Sequence, residues 1–456
     1  MQYVTRRGIL ALILSGAIAA FGEQTSLFTV NPKLPVIPQR RFVITRFGAV
    51  GNGKTMNTDA FRKAIQACKR AGGGEVIVPR GTFVTGPIEL TDNMALVLAK
   101  GATIRGSEKF SDYGSPDSSN PNIVFNETKP PVRPLISGTG LTNVAIRGEG
   151  TIDGAGKVWW ERFRAERAAG APAQGEARQD GAMTPSPRPR LVLLTNCKNA
   201  HIQGVTLKDS PNFHLVPHMC EDVLIEGLKI IAPPDSPNTD AIDPSNSRNV
   251  LIRRCFIDVG DDNVAFKSSR GAPPLENVLV TDCTFKHGHG VSVGSNLGSG
   301  IRNITVQRCT FEDTTNGIRI KSARDRGAVV EHVTYRDITM KNVGTPITIN
   351  MYYFDKSGAA NRKAKPITAT TPIVRDVRVI NVTAVGAKTA GDIVGLPEMP
   401  VSNVVLDNVR IGADKGMIIQ DAKGVELRNV QINQKQGNAL TASYAEINTS
   451  RSNSKK

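Results

Sequence analysis

The stretch Asn249–Ile257, NVLIRRCFI, returns as NVLVTDCTF at 277–285 and as NITVQRCTF at 303–311. Each copy reads Asn-apolar-x-apolar-x-x-small-x-apolar. Further copies start at Asn199 (NAHIQGVTL), Asp222 (DVLIEGLKI), His332 (HVTYRDITM), Asp376 (DVRVINVTA), Asn403 (NVVLDNVRI) and Gly424 (GVELRNVQI). A longer relative, NVAIRGEGTI, begins at Asn143. From Asn199 onward the starts lie 21 to 29 residues apart, except for one interval of 44 between His332 and Asp376. Apolar residues two apart within each copy describe strand, not helix. A unit of this length, repeated many times, cannot bury its apolar face alone and must stack on its neighbours. The spacing is too short for propeller blades and lacks the leucine pattern of a horseshoe. The sequence therefore predicts an all-β protein, a parallel β-helix of about ten coils with equivalent strands about 4.8 Å apart.

The rest of the chain is placed around that solenoid. TDAFRKAIQACKR, ahead of the repeats, reads as a short amphipathic helix that caps the open first coil. Thr58 or Asp59 would start it and Gly72 to Gly74 would stop it. One domain is expected over 41–446, with loop-like insertions near 161–190 and 353–372, a linker at 23–40 and a flexible basic tail at 447–456. Cys255, Cys283 and Cys309 share one register of the repeat, and Cys197 and Cys220 share another. Three thiols in one column cannot all pair, and metal-type CxxC spacing is absent, so free buried thiols are expected.

Residues 1–22 read as an export signal. Arg6 and Arg7 precede an apolar run from Ile9 to Ala20 that is too short to span a bilayer, and Ala17 and Ala19 supply a cleavage pattern. The paired arginines also fit a twin-arginine signal, which points to a bacterial protein in the periplasm or outside the cell. No other segment reads as membrane-spanning, and an exported chain with 5% aromatics and scattered charge is not expected to bind nucleic acid. The net charge of +16 instead suits a polyanionic polysaccharide. Nothing in the pattern asks for a second subunit, so a monomer is expected.

Each middle coil carries a further strand, and these hold the unusual side chains: NTDAIDP from Asn238, DDNVAFKS from Asp261, HGVSVGS from His289 and NGIRIKS from Asn316. Aligning their apolar alternations puts Ile242, Val264, Val291 and Ile318 in one column. Asp240, Asp262, His289 and Asn316 then form another. Asp261 stands beside Asp262, and Arg319 and Lys321 extend the last strand, whereas Asp243 is expected to point elsewhere. Taken singly, Asp-Asp after a glycine is ordinarily a turn, RIK is a solvated strand edge, and an acidic column can bind calcium. Taken in register, three carboxylates, a histidine and two cations on one face suit glycoside hydrolysis. One carboxylic acid would serve the leaving oxygen and carboxylate bases would serve water. Like charges crowded together keep a proton on one of them. Arg319 and Lys321 would bind a sugar carboxylate, and His289 would tune the acid. Adjacent strand residues face opposite sides, so Asp261 and Asp262 can share a groove only if Gly260 introduces a turn or bulge.

NTD, GDD, GHG and RIK in this order resemble the four signatures of the polygalacturonases, glycoside hydrolase family 28, and the likeness spans nearly all of the mature chain. The resemblance implies a right-handed parallel β-helix that hydrolyses α-1,4 links between galacturonic acids of pectin with inversion, with no metal or other cofactor. It makes Asp261 the general acid, Asp240 and Asp262 the water-activating bases, and His289 the acid's support. Arg319 and Lys321 would bind substrate carboxylate, and the groove tyrosine falls on Tyr352 of NMYY, with Tyr353 adjacent. Asn238 and His214 are further candidates for the groove. Ala241 and Asn263 depart from the family's usual Gly and Cys. The rival readings are a rhamnogalacturonan or xylogalacturonan hydrolase, a calcium-dependent pectate lyase, and a non-catalytic polysaccharide-binding β-helix. Internal against terminal cleavage depends on whether an insertion blocks one end of the groove.

Overall fold

The computed structural model describes residues 28–114, 132–170, 186–355 and 359–450. The export signal at 1–22 and the end of the basic tail, 451–456, lie outside them. The described chain is a parallel β-helix, and each middle coil contributes three strands rather than two. The nine-residue repeat itself spans two of them. Arg248–Arg253 forms the first strand, Phe256–Asp258 the second and Val264–Phe266 the third. Between the first two the chain turns a corner at Arg254, whose φ is 54°.

The register follows the sequence alignment. In the first sheet Val223 pairs with Val250, Val250 with Val278 and Val278 with Ile304. In the third, Ile242 pairs with Val264, Val264 with Val291 and Val291 with Ile318. All of these point inward and are fully buried, as are Phe285 and Phe311, whose ring centroids stack 4.8 Å apart. Each such side chain contributes about 1.5–3 kcal/mol relative to exposure. Repetition down the solenoid keeps equivalent apolar groups in contact.

The polar start of the repeat also has a physical cause. Asn199, Asp222, Asn249, Asn277, Asn303, His332, Asp376, Asn403 and Gly424 all adopt positive φ, between 53° and 62°. Asn and Asp enter the left-handed region more readily than other side chains. Stacking then adds an amide ladder, with Asn277 Nδ2 donating to Asn249 Oδ1 and Asn303 Nδ2 to Asn277 Oδ1. Six cysteines, Cys68, Cys197, Cys220, Cys255, Cys283 and Cys309, are free and buried.

The capping helix is present as Thr58–Arg70, with Ala60, Phe61, Ala64, Ile65 and Cys68 buried against the first coils. Neither Thr58 nor Asp59 caps it. The N-cap residue is Asn57, whose amide is spent on the backbone of Val50, Thr55 and Val84, and Thr58 Oγ1 accepts from the Gly86 amide. Three other boundaries differ from expectation. The first part of the 161–190 insertion belongs to a helix, Lys157–Ala168, anchored by buried Trp159, Trp160 and Phe163. The described part of the linker is no free tether, because Val30 packs on the outward leucines Leu224, Leu251 and Leu279. Residues 447–450 of the tail belong to the last strand, Gln431–Ser450.

Candidate active site

The side chains singled out in the sequence meet on the outer face of the third sheet. Asp240 ends the loop that enters the Ile242 bridge. Asp261 and Asp262 sit in the bend between Asp258 and Val264. Because neither belongs to a strand, the alternation rule does not separate them. The bend is fixed by backbone bonds to opposite coils: the Asp262 carbonyl accepts from Ala241 N at 2.9 Å, and the Asp261 carbonyl from His289 N at 3.0 Å. Asp261 Oδ1 also accepts from Asp262 N at 2.8 Å. Gly260 serves close packing, since a Cβ there would lie 2.4 Å from the Ser236 carbonyl oxygen. Gly288, at φ 65°, lets the next coil approach, because a Cβ would stand 2.3 Å from the Asp261 carbonyl oxygen. As a result one carboxylate oxygen from each of Asp240, Asp261 and Asp262 lies within 4.8 Å of the others.

The three carboxylates have different surroundings. Asp262 is buried, and both its oxygens are engaged. Oδ1 accepts from Ser292 Oγ at 2.7 Å and Arg319 NH1 at 3.3 Å, and Oδ2 from Lys321 Nζ at 2.8 Å. Burial alone would raise its pKa, but Lys321 and Arg319 more than offset this and hold it well below the usual carboxylate range. Asp240 Oδ2 accepts from Lys267 Nζ at 2.8 Å. Burial, together with Asp243, Asp261 and Asp262, nevertheless pushes Asp240 upward against the pull of Lys267. Asp261 is the most open of the three, its side chain 23% exposed, and His289 Nε2 lies 4.0 Å from its Oδ1.

Thr315 orients that histidine. Its hydroxyl donates to the Gly288 carbonyl at 3.1 Å and so accepts from His289 Nδ1–H at 2.7 Å. Nε2 is left facing Asp261 as an acceptor when the ring is neutral.

Lys267 and Asp243 complete the site, and the sequence reading missed both. Lys267 Nζ bridges Asp240 and Asp243, at 2.8 and 2.6 Å, and lies 3.9 Å from the centroid of the Phe213 ring. Asp243 therefore does not point away from the cluster. Its neighbour Ile242 faces inward, so strand alternation itself sends Asp243 outward, and that signal was available. Arg188, the other missed residue, is buried on the Phe163 ring and donates to the carbonyls of Pro211 and Pro237 and to Asn238 Oδ1. Asn238 is thus committed to holding the loop before Asp240.

Two groove expectations are corrected. His214 is fully buried and does not line the groove. Its Nε2 accepts from Ser210 N, its Nδ1 donates to the Asp240 carbonyl at 3.1 Å, and burial pushes its pKa down to about 4. It is a neutral clamp on the Asp240 backbone. Tyr352 is 6% exposed and packs under Arg324. Tyr353, 37% exposed, faces the site, with Arg319 and Lys321 5.3 and 5.0 Å from its ring centroid. The chain direction reverses their roles because the strand ends at Asn350. Tyr353→Ala is expected to lower kcat/KM on polygalacturonate about tenfold, while Tyr352→Phe changes it by less than twofold. Steady-state kinetics check both, and the opposite ranking would restore Tyr352 as the groove residue.

Comparison with known proteins identifies the family to which this fold and site belong. Residues 68–436 match the glycosyl hydrolases family 28 model. An endo-polygalacturonase of Pectobacterium carotovorum subsp. carotovorum is 32% identical over 370 residues, covering 79% of this chain and 86% of that one. An exopolygalacturonase of Zea mays is 29% identical, covering 82% and 84%. The crystal structure of a hyperthermoactive exopolygalacturonase from Thermotoga maritima superposes with a TM-score of 0.73 at 28% identity, covering 88% and 94%. The match over most of its length therefore makes this chain a glycoside hydrolase, a member of glycosyl hydrolases family 28.

Proposed function

We propose that the protein cleaves α-1,4 links between galacturonic acid residues of de-esterified pectin by single displacement. Asp261 would be the general acid and the Asp240–Asp262 pair would hold and activate water. The observation that carries this reading is the unequal pairing of the three carboxylates. Asp262 and Asp240 are each bonded to an ammonium group, whereas Asp261 accepts from the Asp262 amide, has His289 Nε2 at 4.0 Å and feels the Arg188 guanidinium only through space. A carboxyl free of an ammonium contact and open to the groove is the one placed to reach the leaving oxygen. Of the other two, Asp240 has the raised proton affinity and is the stronger base, and Asp262 positions the water and the cations. Arg319 and Lys321 stand over Tyr353, where a sugar carboxylate can share them with Asp262.

The oxygen spacing of 4.8 Å or less is shorter than the roughly 6.5–9.5 Å usual between inverting carboxyl groups, and on distance alone it would suit a nucleophile. Against a nucleophile stands the occupancy of both Asp262 oxygens by three donors, which lowers their nucleophilicity. Inversion is therefore expected: proton NMR of the first products from polygalacturonate should show the β-anomer, and an initial α-anomer would replace this mechanism with a retaining one. The same digest run with a chelator separates hydrolysis from calcium-dependent elimination. Reducing ends should still form, without the unsaturated products that absorb at short ultraviolet wavelengths. Export, through a signal at 1–22, and the monomeric state belong to the same proposal.

A further inference from the structure

The cations of the groove stop abruptly on one side. Along the outward row of the third sheet, Ser292 pairs with Arg319, Arg319 with Thr348, Thr348 with Asp392 and Asp392 with Ile418. In the adjacent row Lys321 pairs with Asn350. Two coils beyond Arg319, about 10 Å at the strand spacing, the floor thus carries a carboxylate where a polyanion would meet a cation. The residue is a built feature. Asp392 Oδ1 accepts from Thr348 Oγ1 at 3.0 Å and Oδ2 from Asn350 Nδ2 at 2.8 Å, so both oxygens are held in place. Its flanking residues Gly391 and Ile393 are buried, which leaves no freedom for it to turn inward. Arg319 acts on it only through space, and two arginines of the neighbouring loops are committed elsewhere. Arg324 is paired with Glu398, and Arg362 with Asp421. Past Asp392 comes Ile418, 46% exposed and uncharged.

We infer that Asp392, held by Thr348 and Asn350, makes this end of the groove select an uncharged sugar, such as a methyl-esterified galacturonate, beside the charged one read by Arg319 and Lys321. The inference rests on the polygalacturonase reading and deepens it. A free galacturonate carboxylate at that position would face a fixed acidic group, and Arg319, the cation that acts on that group through space, is already shared with Asp262. A methyl ester or a plain hydroxyl can accept or donate hydrogen bonds there without a like-charge contact. Burial also raises the proton affinity of Asp392, which makes it able to donate to an ester carbonyl as pH falls.

Partially methyl-esterified pectin is digested at pH 7 and the product oligomers are sequenced by mass spectrometry. The wild type should leave methyl esters enriched at one fixed position from the cut, on one side of it. Asp392→Asn, whose oxygen can still accept from Asn350 Nδ2 while its amide nitrogen donates to a reoriented Thr348 hydroxyl, should abolish that enrichment. It should also raise kcat/KM on fully de-esterified polygalacturonate about fivefold relative to esterified pectin, the scale of one like-charge contact in a screened groove. A random ester distribution in the wild-type products overturns the inference without any variant. So does an Asp392→Asn protein in which both substrates change by the same factor, since that would mark Asp392 as a positioning residue for Arg319. If the wild type releases no reducing ends from either substrate, it is the polygalacturonase reading that falls.

Discussion

Asp261→Asn is expected to lower hydrolysis of polygalacturonate by about three to four orders of magnitude, the scale of a lost general acid, with an unchanged melting temperature. The unchanged fold follows from the contacts. Asp261 Oδ1 accepts one bond from the following amide, which an asparagine oxygen also accepts, and the Arg188 guanidinium that feels its charge is held by bonds to the carbonyls of Pro211 and Pro237 and to Asn238. The side chain is partly exposed, so an amide is not stranded in the interior. What the substitution removes is the proton that the leaving sugar needs. The loss should shrink when the leaving group is a good one: an aryl galacturonide leaves as a stable phenolate and gains little from an acid. Reducing-end release from the polymer and aryl release from the glycoside, measured on the same protein, check both halves. Retention of more than about a tenth of wild-type activity on the polymer would remove Asp261 from the acid's role. An equal loss on both substrates would make it a binding group.

Much of this site was readable in the sequence because the solenoid converts periodicity into position. The alternation that aligned Ile242, Val264, Val291 and Ile318 is the hydrogen-bonded register itself. Once the inward column is known, the outward carboxylates and cations follow. What the sequence hid has two physical sources. The first is departure from regular strand: the Asp261–Asp262 bend is set by packing of Gly260 and Gly288 against other coils, so period-two reasoning could pose the difficulty but not solve it. The choice between Tyr352 and Tyr353 failed in the same way, just beyond a strand end. The second is long-range partnership. Arg188 lies 50 residues from Asn238, and Arg362 lies 59 from Asp421. Both arginines belong to stretches that read as loop, where no repeat supplies a register. Lys267 falls between the two cases. It stood in DDNVAFKS at an outward position, but nothing local said that it would bridge two carboxylates of the preceding coil.

Lys267→Met is expected to cost about 3–5 kcal/mol of stability at pH 7, the range for removing one partner of a buried ion pair, and to lower kcat by two to three orders of magnitude. Methionine matches the stem that packs on Phe213, so packing is largely kept and the charge is what goes. Burial on its own would depress the lysine, but Asp240 and Asp243 raise its proton affinity further than burial lowers it. A group whose folded pKa is raised contributes stability that is fully present below its ordinary value, about 10.4, and lost only as pH climbs through the folded one. The lysine itself should therefore contribute no loss between pH 5 and 9 in the wild type, and any slope in that window comes from Asp240, whose proton affinity is raised. In the variant two buried carboxylates lose their cation and hold protons to higher pH, so its deficit in melting temperature should be large at pH 7 and shrink towards pH 5. Adding Asp243→Asn should recover most of the stability, because one of the two stranded carboxylates is gone. Activity should not recover in parallel: Asp240 would still lack Lys267, remain protonated to higher pH and fail as a base. The acidic limb of the kcat–pH profile should accordingly move upward. Calorimetry at pH 5 and 7 with kinetics across the same range distinguishes this from a packing role, which would give a pH-independent deficit, no rescue by Asp243→Asn and an unshifted profile.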